Sequence, residues 1–345
     1  MFRRSVITSL AASAIALTGF VGSVSAQDVT LRLHQFLPPM ANLPANVLRP
    51  WAENVQQASG GRIEIQHFDA MALGGRPPEL IDQARDGVVD IVMTLPGYTP
   101  GRFPRTEVFE LPFMMTDPIA TAQAYWQMME SDFQDSEFQD MKILGAWVHG
   151  PGVIHAETPV NALEDMQGRT LRGPTRIIND LLGELGATPV GMPVPAIPEA
   201  LSKGVINGTV IPWEVTPALR ISELIGNHTE FGGDTALYTA TFVLAMNKAR
   251  YEAMPDDLRA ILDAESGMKL ASFAAEVMES FDEPGRDVAV NAGNNIVTLD
   301  EAEVARWREA SRPVVARWIA EMDGKGIDGQ ALIDQAQALI AENAM

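Results

Sequence analysis

The sequence predicts an α/β fold with two lobes, and three observations lead to this expectation. A chain of 345 residues is longer than one small hydrophobic core needs. Between residues 28 and 95, strand patterns alternate with helical patterns, which is typical of an α/β domain. A second run of this kind follows Gly150-Pro151-Gly152, a strong chain breaker. We therefore expect the chain to pass from one lobe to the other at this point.

The first lobe is predicted to hold four strands with helices between them. Alternating or continuous apolar runs indicate the strands, and apolar residues at three- and four-residue steps indicate the helices. The predicted strands cover residues 28–36, 62–68, 88–95 and 141–150. The predicted helices cover residues 41–61, 77–87 and 117–129.

The second lobe is predicted from a shorter series of the same patterns. Its strands are expected at 169–173 and 205–211, and its helices at 175–186 and 198–204. An apolar strand at 239–247 is expected to return the chain to the first lobe. The chain would then cross between the lobes more than once.

A long helix is predicted from Pro255 to about Asp282, where apolar residues recur at helical spacing. At 1.5 Å per residue it would span roughly 40 Å, longer than a single small domain requires. Two further helices are expected at about 302–322 and 329–343. The predicted division is a first lobe of residues 28–150 plus about 238–278, and a second lobe of residues 151–237 plus about 279–345.

Residues 1–26 are predicted to be a secretory signal peptide. Arg3 and Arg4 precede an apolar run from Val6 to Phe20, and Val24-Ser25-Ala26 fits the small-residue cleavage rule. The apolar run is about 15 residues long, which is short for a membrane-spanning helix. Because cysteine is absent, a disulfide framework and a lipid-anchored cysteine are excluded. We therefore expect a soluble protein exported to a bacterial periplasm.

The charge of the chain limits its partners. The formal net charge is −20, and nucleic acid is an unsuitable partner because phosphate binding requires a basic face. A strongly negative field also repels small anions at long range. An anion site would therefore need local cations, and Arg169, Arg172 and Arg176 stand close together at the end of a predicted strand.

No motif in the sequence indicates an enzyme. The chain has no G-x-S-x-G elbow, Walker loop, H-E-x-x-H or G-x-G-x-x-G sequence, and it has no cysteine nucleophile. The spacing of His149, His155 and Glu157 matches no zinc motif. We therefore predict no catalytic activity and no cofactor, although a metal ion beside a bound ligand is left open.

Four sequence blocks occur in an order that resembles one known family. They are the "GGRPPELIDQARDGVVDI" block at 74–91, "FELPFM" at 109–114, "GRTLRGPT" at 168–175 and "PEALSKGVINGTVIPWE" at 198–214. In these blocks the chain resembles the DctP-like solute-binding subunits of tripartite ATP-independent periplasmic (TRAP) transporters. The resemblance covers essentially the whole mature chain.

The resemblance implies a fold and a function. The fold is the type II periplasmic binding protein, in which two α/β lobes and a long connecting helix enclose a hinged cleft. The function is capture of an organic carboxylate and its delivery to the membrane subunits of a TRAP transporter. The alternative that stays open is a binding protein of an ATP-driven importer with a polar or cationic ligand.

The resemblance also implies which residue binds the carboxylate. The family pattern "K/R-x-R-x-P" aligns with Arg169 and "TLRGP", and so assigns the ligand contact to Arg172. Its guanidinium offers a planar fork of donors that matches a carboxylate. Gly173 stands where the family often has a β-branched residue, and we expect only a local backbone effect. Arg169 is expected to be solvated and Arg176 to lie on a helix face.

Further ligand contacts are expected around the cleft. Trp213 would form a wall, Glu214 would hold a ligand hydroxyl or a cation, and Tyr98 would offer a ring face and a hydroxyl. His34 and His149 end predicted strands, where open α/β sheets bind ligands. The complete set of expected contacts is Arg172, Trp213, Glu214, Tyr98, His34, His149, Thr175 and Met192.

The residues near the expected cleft favour an apolar ligand body. Isoleucine occupies position 211, near which many binders of dicarboxylates or sialic acid have an asparagine. The aromatic residues at or near the inferred loops are Phe36, Tyr98, Trp147, Trp213 and Tyr238. We therefore expect a monocarboxylate, such as a 2-oxo, 2-hydroxy or aromatic acid.

Overall fold

The protein consists of two α/β lobes, each built around one mixed β-sheet. The structure is a computed structural model that describes residues 28–233 and 235–344. The predicted signal peptide at 1–26 lies outside the described residues. Among the helices of the described ranges, none combines the length and the apolar character needed to cross a bilayer.

Eleven strands form the two sheets of the described chain. They are β1 (Val29–His34), β2 (Ile63–Phe68), β3 (Ile91–Thr94), β4 (Met141–Val148), β5 (Val153–Ala156), β6 (Thr170–Gly173), β7 (Thr188–Gly191), β8 (Gly208–Ile211), β9 (Asn227–Phe231), β10 (Thr241–Asn247) and β11 (Asn295–Leu299).

Helices cover the sheets and join the lobes. They are α1 (Arg49–Ala58), α2 (Leu80–Arg85), α3 (Pro118–Met128), α4 (Gln134–Ser136), α5 (Arg176–Glu184), α6 (Ile197–Ser202), α7 (Thr216–Leu219), α8 (Ile221–Leu224), α9 (Lys248–Glu252), α10 (Asp256–Ala264), α11 (Met268–Ser280), α12 (Asp282–Asn291), α13 (Glu301–Gly324) and α14 (Gly329–Asn343). Short 3₁₀ and π turns stand between several of them.

The first lobe contains a five-stranded sheet with the order β2-β1-β3-β10-β4. β1 pairs in parallel with β2 and β3, and β10 pairs antiparallel with β3 and β4. All residues of β3 are buried, and so are nearly all residues of β10. Strands covered on both faces need continuous apolar sequences, which is why these runs were recognisable from the sequence.

The second lobe contains a six-stranded sheet with the order β11-β9-β5-β8-β6-β7. β6 pairs in parallel with β7 and β8, and β5 pairs antiparallel with β8 and β9. The sequence patterns predicted β6 and β8, but they did not indicate the other four strands of this sheet, β5, β7, β9 and β11. β7 and β11 are short and partly exposed, so their residues carry little apolar pattern.

In the described structure the chain crosses between the lobes at four places, and the last of them joins α13 to α14. The first crossing joins β4 to β5 through Gly150-Pro151-Gly152, the predicted chain breaker. The second runs from β9 to β10, and the third passes from α11 into α12. α11 packs against α3 and β4, whereas α12 packs against the turn Trp213–Val215 of the second lobe.

The predicted single helix from Pro255 to Asp282 is interrupted. α10 and α11 are separated at Gly267, whose φ of 67° is favourable only for glycine. The N–H group of Gly267 donates a 2.7 Å hydrogen bond to the carbonyl oxygen of Leu144 instead of continuing a helix. The connection between the lobes is therefore made by α11 and α12, which meet at Phe281.

The two C-terminal helices lie on different lobes. α13 packs against α5 of the second lobe, whereas α14 packs against α3 of the first lobe. Nδ2 of Asn343 donates a 2.8 Å hydrogen bond to Oε1 of Gln127 in α3. The sequence-based division placed all of 279–345 in the second lobe, and the position of α14 differs from it. The buried face of α14 provides the reason, because its apolar residues are covered by α3 and its neighbours.

Candidate ligand-binding site

A cavity lies between the two lobes. It is formed at the carboxyl ends of β1, β3, β6 and β8, the edge at which open α/β sheets bind ligands. Its lining residues are Phe36, Leu37, Leu43, Leu95, Tyr98, His149, Arg172, Pro174, Val194, Ile211, Pro212, Glu214, Val215, Tyr238, Ala240, Phe242 and Met278. Four of the predicted contacts, Tyr98, His149, Arg172 and Glu214, therefore come together here.

Arg172 is a buried cation without a carboxylate partner. It is 1% exposed, and its Nε and Nη1 atoms donate to the carbonyl oxygens of Met192 (2.8 Å) and Val210 (3.2 Å). It makes no ion pair with any acidic side chain in the described part of the chain. Burial lowers the pKa of Arg172, although an arginine stays charged. A buried charge of this kind needs compensation, and an anionic ligand would supply it.

Tyr98 connects the lobes beside Arg172. Its hydroxyl oxygen accepts a 3.0 Å hydrogen bond from the N–H group of Val194, which belongs to the second lobe. The Tyr98 ring packs on Phe36, with 5.5 Å between the ring centroids. Burial raises the pKa of Tyr98, and the nearby charge of Arg172 opposes this effect. The phenol is therefore neutral and fixed in position.

Tyr238 is a cavity residue that the sequence did not assign to the ligand. Its hydroxyl group is buried and makes no hydrogen bond within the described residues. Burial raises the pKa of Tyr238, and the charge of Arg172 acts in the opposite direction, so the two groups are neighbours. The ring is held against Gly152, where a Cβ atom would lie 2.0 Å from Cε1 of Tyr238.

His149 contributes its ring to the cavity wall, since both ring nitrogens are already used. The N–H group of Ala240 donates to Nε2 of His149 (3.0 Å), so Nδ1 carries the proton and donates to the carbonyl oxygen of Gly150 (2.5 Å). Burial lowers the pKa of His149 to about 4. The imidazole is therefore neutral, and it packs edge to face against Tyr238 at 5.5 Å.

Glu214 brings a carboxyl group to the cavity. Nδ2 of Asn42, in the first lobe, donates to Oε2 of Glu214 at 3.3 Å. The N–H group of Glu214 donates to Oδ1 of Asp282 at 2.9 Å. Burial, followed by the charge of Asp282, raises the pKa of Glu214 to about 8. Burial likewise raises the pKa of Asp282 to about 7.

Two predicted contacts point away from the cavity. Trp213 does not line it; Nε1 of Trp213 donates to Oε1 of Glu230 (2.8 Å), and its ring packs on His155 and His228. His34 is buried at the end of β1, where Nδ1 of His34 contacts Oε1 of Gln83 at 2.7 Å. Both side chains hold neighbouring elements together instead of facing the enclosed space.

The other predicted positions lie beside the cavity. The side chains of Thr175 and Met192 line a neighbouring surface cleft, and Met192 reaches Arg172 through its backbone carbonyl group. Arg169, expected to be solvated, is buried and donates to the carbonyl oxygens of Thr158 (2.9 Å) and Pro159 (2.6 Å). Arg176 begins α5 and forms ion pairs with two glutamates, Glu107 and Glu321.

Most of the apolar lining was not predicted from the sequence. The lining residues outside the expected set are Phe36, Leu37, Leu43, Leu95, Pro174, Val194, Ile211, Pro212, Val215, Tyr238, Ala240, Phe242 and Met278. Several follow directly after a strand, and this position was the available signal. Apolar residues at such positions are equally common in a hydrophobic core.

Within residues 28–233 and 235–344, no group of three or more His, Cys, Asp or Glu side chains is arranged to hold a metal ion. Nδ1 of His155 lies 2.7 Å from Nδ1 of His228, and burial lowers the pKa values of these two histidines to about 3 and about 4. They form a neutral buried pair. A metal ion beside Glu214 stays a prediction.

The sequence matches the family described as bacterial extracellular solute-binding protein, family 7 (DctP), over residues 39–321. The chain belongs to this family. The members of the DctP family bind solutes outside the cytoplasm, and the enclosed cavity between two lobes agrees with that role.

Three solved structures of TRAP solute-binding proteins are similar to this DctP-family protein. The protein of Rhodoferax ferrireducens, with copurified benzoate, is 47% identical and has a TM-score of 0.90. The similarity covers 91% of this chain and 98% of that protein. A marine metagenome protein specific for aromatic acid ligands, with 3-hydroxybenzoate, is 43% identical with a TM-score of 0.91, at coverages of 93% and 100%. The protein of Bordetella bronchiseptica, with (R)- and (S)-mandelate, is 29% identical with a TM-score of 0.84, at coverages of 91% and 99%.

These similarities confirm the expected fold and class of protein. The chain is a solute-binding subunit of the TRAP type with the two-lobed α/β fold of periplasmic binding proteins. The alternative of a binding protein for an ATP-driven importer finds no support in them. The first and third of these proteins each hold an organic carboxylate.

Proposed function

We propose that this protein captures an aromatic monocarboxylate in the periplasm and delivers it to the membrane subunits of a TRAP transporter. Arg172 binds the carboxylate, and the rings and aliphatic side chains of the cavity enclose the aromatic body. The protein performs no chemistry on the ligand. Its contribution is selective binding coupled to closure of the two lobes.

The buried and unpaired guanidinium of Arg172 carries this proposal. The cavity is mostly apolar with a few placed polar groups, which is usual for a small-molecule site. The walls are mainly aromatic and aliphatic, and Arg172 is the cation among the lining residues. A ligand with one negative end and an apolar ring would satisfy both features.

The similar proteins support the same class of ligand. Benzoate, 3-hydroxybenzoate and mandelate, which are bound in the three structures described above, each combine one carboxylate with one aromatic ring. The two proteins that are 47% and 43% identical to this chain hold benzoate and 3-hydroxybenzoate, respectively. A dicarboxylate would require a second cation, which the lining residues do not provide.

Closure of the lobes gives the loaded protein a shape that a membrane partner can distinguish from that of the free protein. The hydrogen bonds from Val194 to Tyr98 and from Asn42 to Glu214 join the first lobe to the second around the cavity. A ligand that contacts both lobes stabilises the closed form by its differential affinity for the two states. The transporter subunits would then recognise the closed, loaded protein.

Ligand-dependent thermal stability tests this function. We expect benzoate at a hundredfold excess over its dissociation constant to stabilise the protein by about 2.7 kcal/mol and raise its Tm by several degrees. In Arg172→Lys the shift should be lost, because an ammonium group cannot reproduce the planar fork of donors. Isothermal titration would give the affinity directly.

Arg169→Lys provides the matched control. Arg169 is also a buried arginine that donates to carbonyl groups, but it does not line the cavity. Its substitution should lower the Tm of the free protein and keep the benzoate-induced shift. Binding of benzoate by Arg172→Lys with unchanged affinity would contradict the proposed site. A protein stabilised by amines and not by any aromatic acid would contradict the function.

A further inference from the structure

Glu214 is, besides Arg172 and Tyr238, an ionisable group of the cavity that has unused hydrogen-bonding capacity. It is only 7% exposed, and it lines the cavity. Its Oε2 atom receives one long hydrogen bond from Asn42, at 3.3 Å. Its Oε1 atom makes no hydrogen bond to any group in the described chain, and no cationic side chain among the described residues pairs with Glu214.

The surroundings of Glu214 keep its carboxyl group neutral. It is buried beside the carboxyl group of Asp282, which is half-buried, and the pKa values of both are raised, to about 8 for Glu214 and about 7 for Asp282. Two adjacent buried carboxylates cannot both ionise without a large cost. A neutral carboxyl group in an apolar site has an O–H group to donate and a carbonyl oxygen to accept.

The other polar side chains of the cavity are either occupied, as His149 is, or lie beside Arg172, as Tyr98 and Tyr238 do. Both ring nitrogens of His149 bond to backbone groups, and the hydroxyl oxygen of Tyr98 accepts from Val194. Arg172 has Tyr98 and Tyr238 as its ionisable neighbours, whereas Glu214 has Asn42 and Asp282 beside it. Glu214 and Arg172 therefore have different polar neighbours within the cavity.

From this arrangement we infer that Glu214 determines specificity within the aromatic monocarboxylates, and selects those that carry a hydroxyl group on the ring. The inference rests on the function proposed above. A ring hydroxyl both donates and accepts, as a neutral carboxyl group does, so one pair of hydrogen bonds satisfies both partners. An unsubstituted ring would leave Oε1 of Glu214 buried without a partner, and sites built for a hydroxyl group reject analogues that lack it.

The affinities of four acids measured at pH 7 test the inference. Benzoate and 2-, 3- and 4-hydroxybenzoate are titrated by calorimetry into the natural protein, Glu214→Gln and Glu214→Leu. We expect the natural protein to bind one hydroxybenzoate isomer at least about tenfold more tightly than benzoate, the ratio that corresponds to about 1.4 kcal/mol. The preference should fall below twofold in Glu214→Leu and be partly kept in Glu214→Gln, whose amide also donates and accepts.

Glu110→Gln is the control. Glu110 is an equally buried glutamate whose pKa is raised to about 7 by burial, and it accepts hydrogen bonds from the N–H and hydroxyl groups of Thr241. It does not line the cavity. Its substitution should leave the hydroxyl preference unchanged. Benzoate binding shows whether each variant is folded. If Glu214→Leu does not bind benzoate, the Glu214→Gln variant is used instead. A loss of at least threefold in its hydroxyl preference supports the inference, and a smaller loss overturns it.

The outcomes separate this inference from the proposed function. Failure of all four acids to bind the natural protein would contradict the function. Binding of benzoate and all hydroxybenzoates within twofold of each other would keep the function and overturn the role of Glu214. A hydroxyl preference that survives in Glu214→Leu would overturn it too. So would a preference that the natural protein shows only after addition of a divalent cation.

Discussion

The N–H group of Glu214 donates a 2.9 Å hydrogen bond to Oδ1 of Asp282, and this bond brings the buried residue Glu214 next to the half-buried carboxyl group of Asp282. Asp282 begins α12, the helix that continues the connection between the lobes. Gly150, in the first crossing, approaches the same carboxylate so closely that a Cβ atom would lie 2.0 Å from Oδ2 of Asp282. The first lobe crossing and the crossing from α11 into α12 therefore meet at a site where ionisation is unfavourable.

This pair makes the stability of the protein depend on pH. A folded-state pKa of about 8 for Glu214 lies above its ordinary value of 4.5. The stabilising contribution of Glu214 to the free energy of unfolding is therefore fully present below about pH 4.5 and is lost as the pH rises through 8. We expect the unfolding free energy of Glu214→Gln, relative to that of the natural protein, to rise by on the order of 3 kcal/mol between pH 5 and pH 8.5. The reason is that each pKa unit corresponds to about 1.4 kcal/mol.

Urea unfolding at pH 5 and pH 8.5 measures this difference. Glu199→Gln is a suitable control, because Glu199 is exposed and its pKa is lowered by Lys203. Its stability should follow that of the natural protein at both pH values. Parallel stability curves for Glu214→Gln and the natural protein would show that Glu214 is ionised in the folded state.

The position of Arg172 could be inferred from the sequence, but its environment could not. The family pattern and the predicted strand that contains Arg172 placed the arginine at the cleft. The absence of a carboxylate partner among the described residues depends on distant segments, such as the loop that carries Tyr98 and the segment before β10 that carries Tyr238. Such contacts between residues far apart in the chain are not encoded in a local pattern.

His34 and Trp213 show where strand-end reasoning is insufficient. Leu33 and His34 are both buried, so the pattern of β1 does not reveal which of its two faces the histidine occupies. Trp213 and Glu214 are consecutive residues of one 3₁₀ turn, and only Glu214 lines the cavity. A ligand contact at a turn depends on the side-chain direction, which neighbouring residues in the sequence do not share.

The broken connecting helix has a similar explanation. The apolar residues on either side of Gly267 keep a helical spacing, and the sequence therefore predicted one helix. The glycine adopts a positive φ and packs close to Trp126, with an added Cβ atom 3.2 Å from Cζ2. The interruption is thus decided by tertiary packing, which local helix propensity does not include.

Gly152 limits the space available to Tyr238, and its substitution provides a second prediction. In Gly152→Ala the new Cβ atom would lie 2.0 Å from Cε1 of the Tyr238 ring. We expect a loss of about 1–3 kcal/mol in stability from the overlap. Benzoate affinity should fall at least tenfold, because the displaced ring would alter the cavity. Thermal unfolding and calorimetry measure the two effects.

Gly226→Ala separates this effect from a general cost of replacing glycine. No atom lies within 4 Å of a Cβ atom added at Gly226, and its φ is not in the left-handed region. Stability and benzoate affinity should both stay close to those of the natural protein. An unchanged benzoate affinity in Gly152→Ala would mean that the ring position does not matter for the ligand.

Tyr238 and Tyr125 offer a matched test of the carboxylate site. Both hydroxyl groups are buried without a hydrogen-bond partner in the described chain, but only Tyr238 lines the cavity. Removing an unsatisfied buried hydroxyl relieves a desolvation cost, so we expect Tyr238→Phe and Tyr125→Phe to be as stable as the natural protein or up to about 1 kcal/mol more stable. The unfolding free energies of the two variants should thus change alike.

Their affinities for benzoate should differ. Next to Arg172, the Tyr238 hydroxyl is placed to donate to a carboxylate oxygen, and a hydrogen bond to a charged group contributes about 1.5–3 kcal/mol. We therefore expect Tyr238→Phe to bind benzoate roughly tenfold or more weakly, since tenfold corresponds to about 1.4 kcal/mol. Tyr125→Phe should bind it normally. Equal affinity in both variants would mean that the unpartnered hydroxyl of Tyr238 is not reserved for the ligand, and that Arg172 alone compensates the carboxylate.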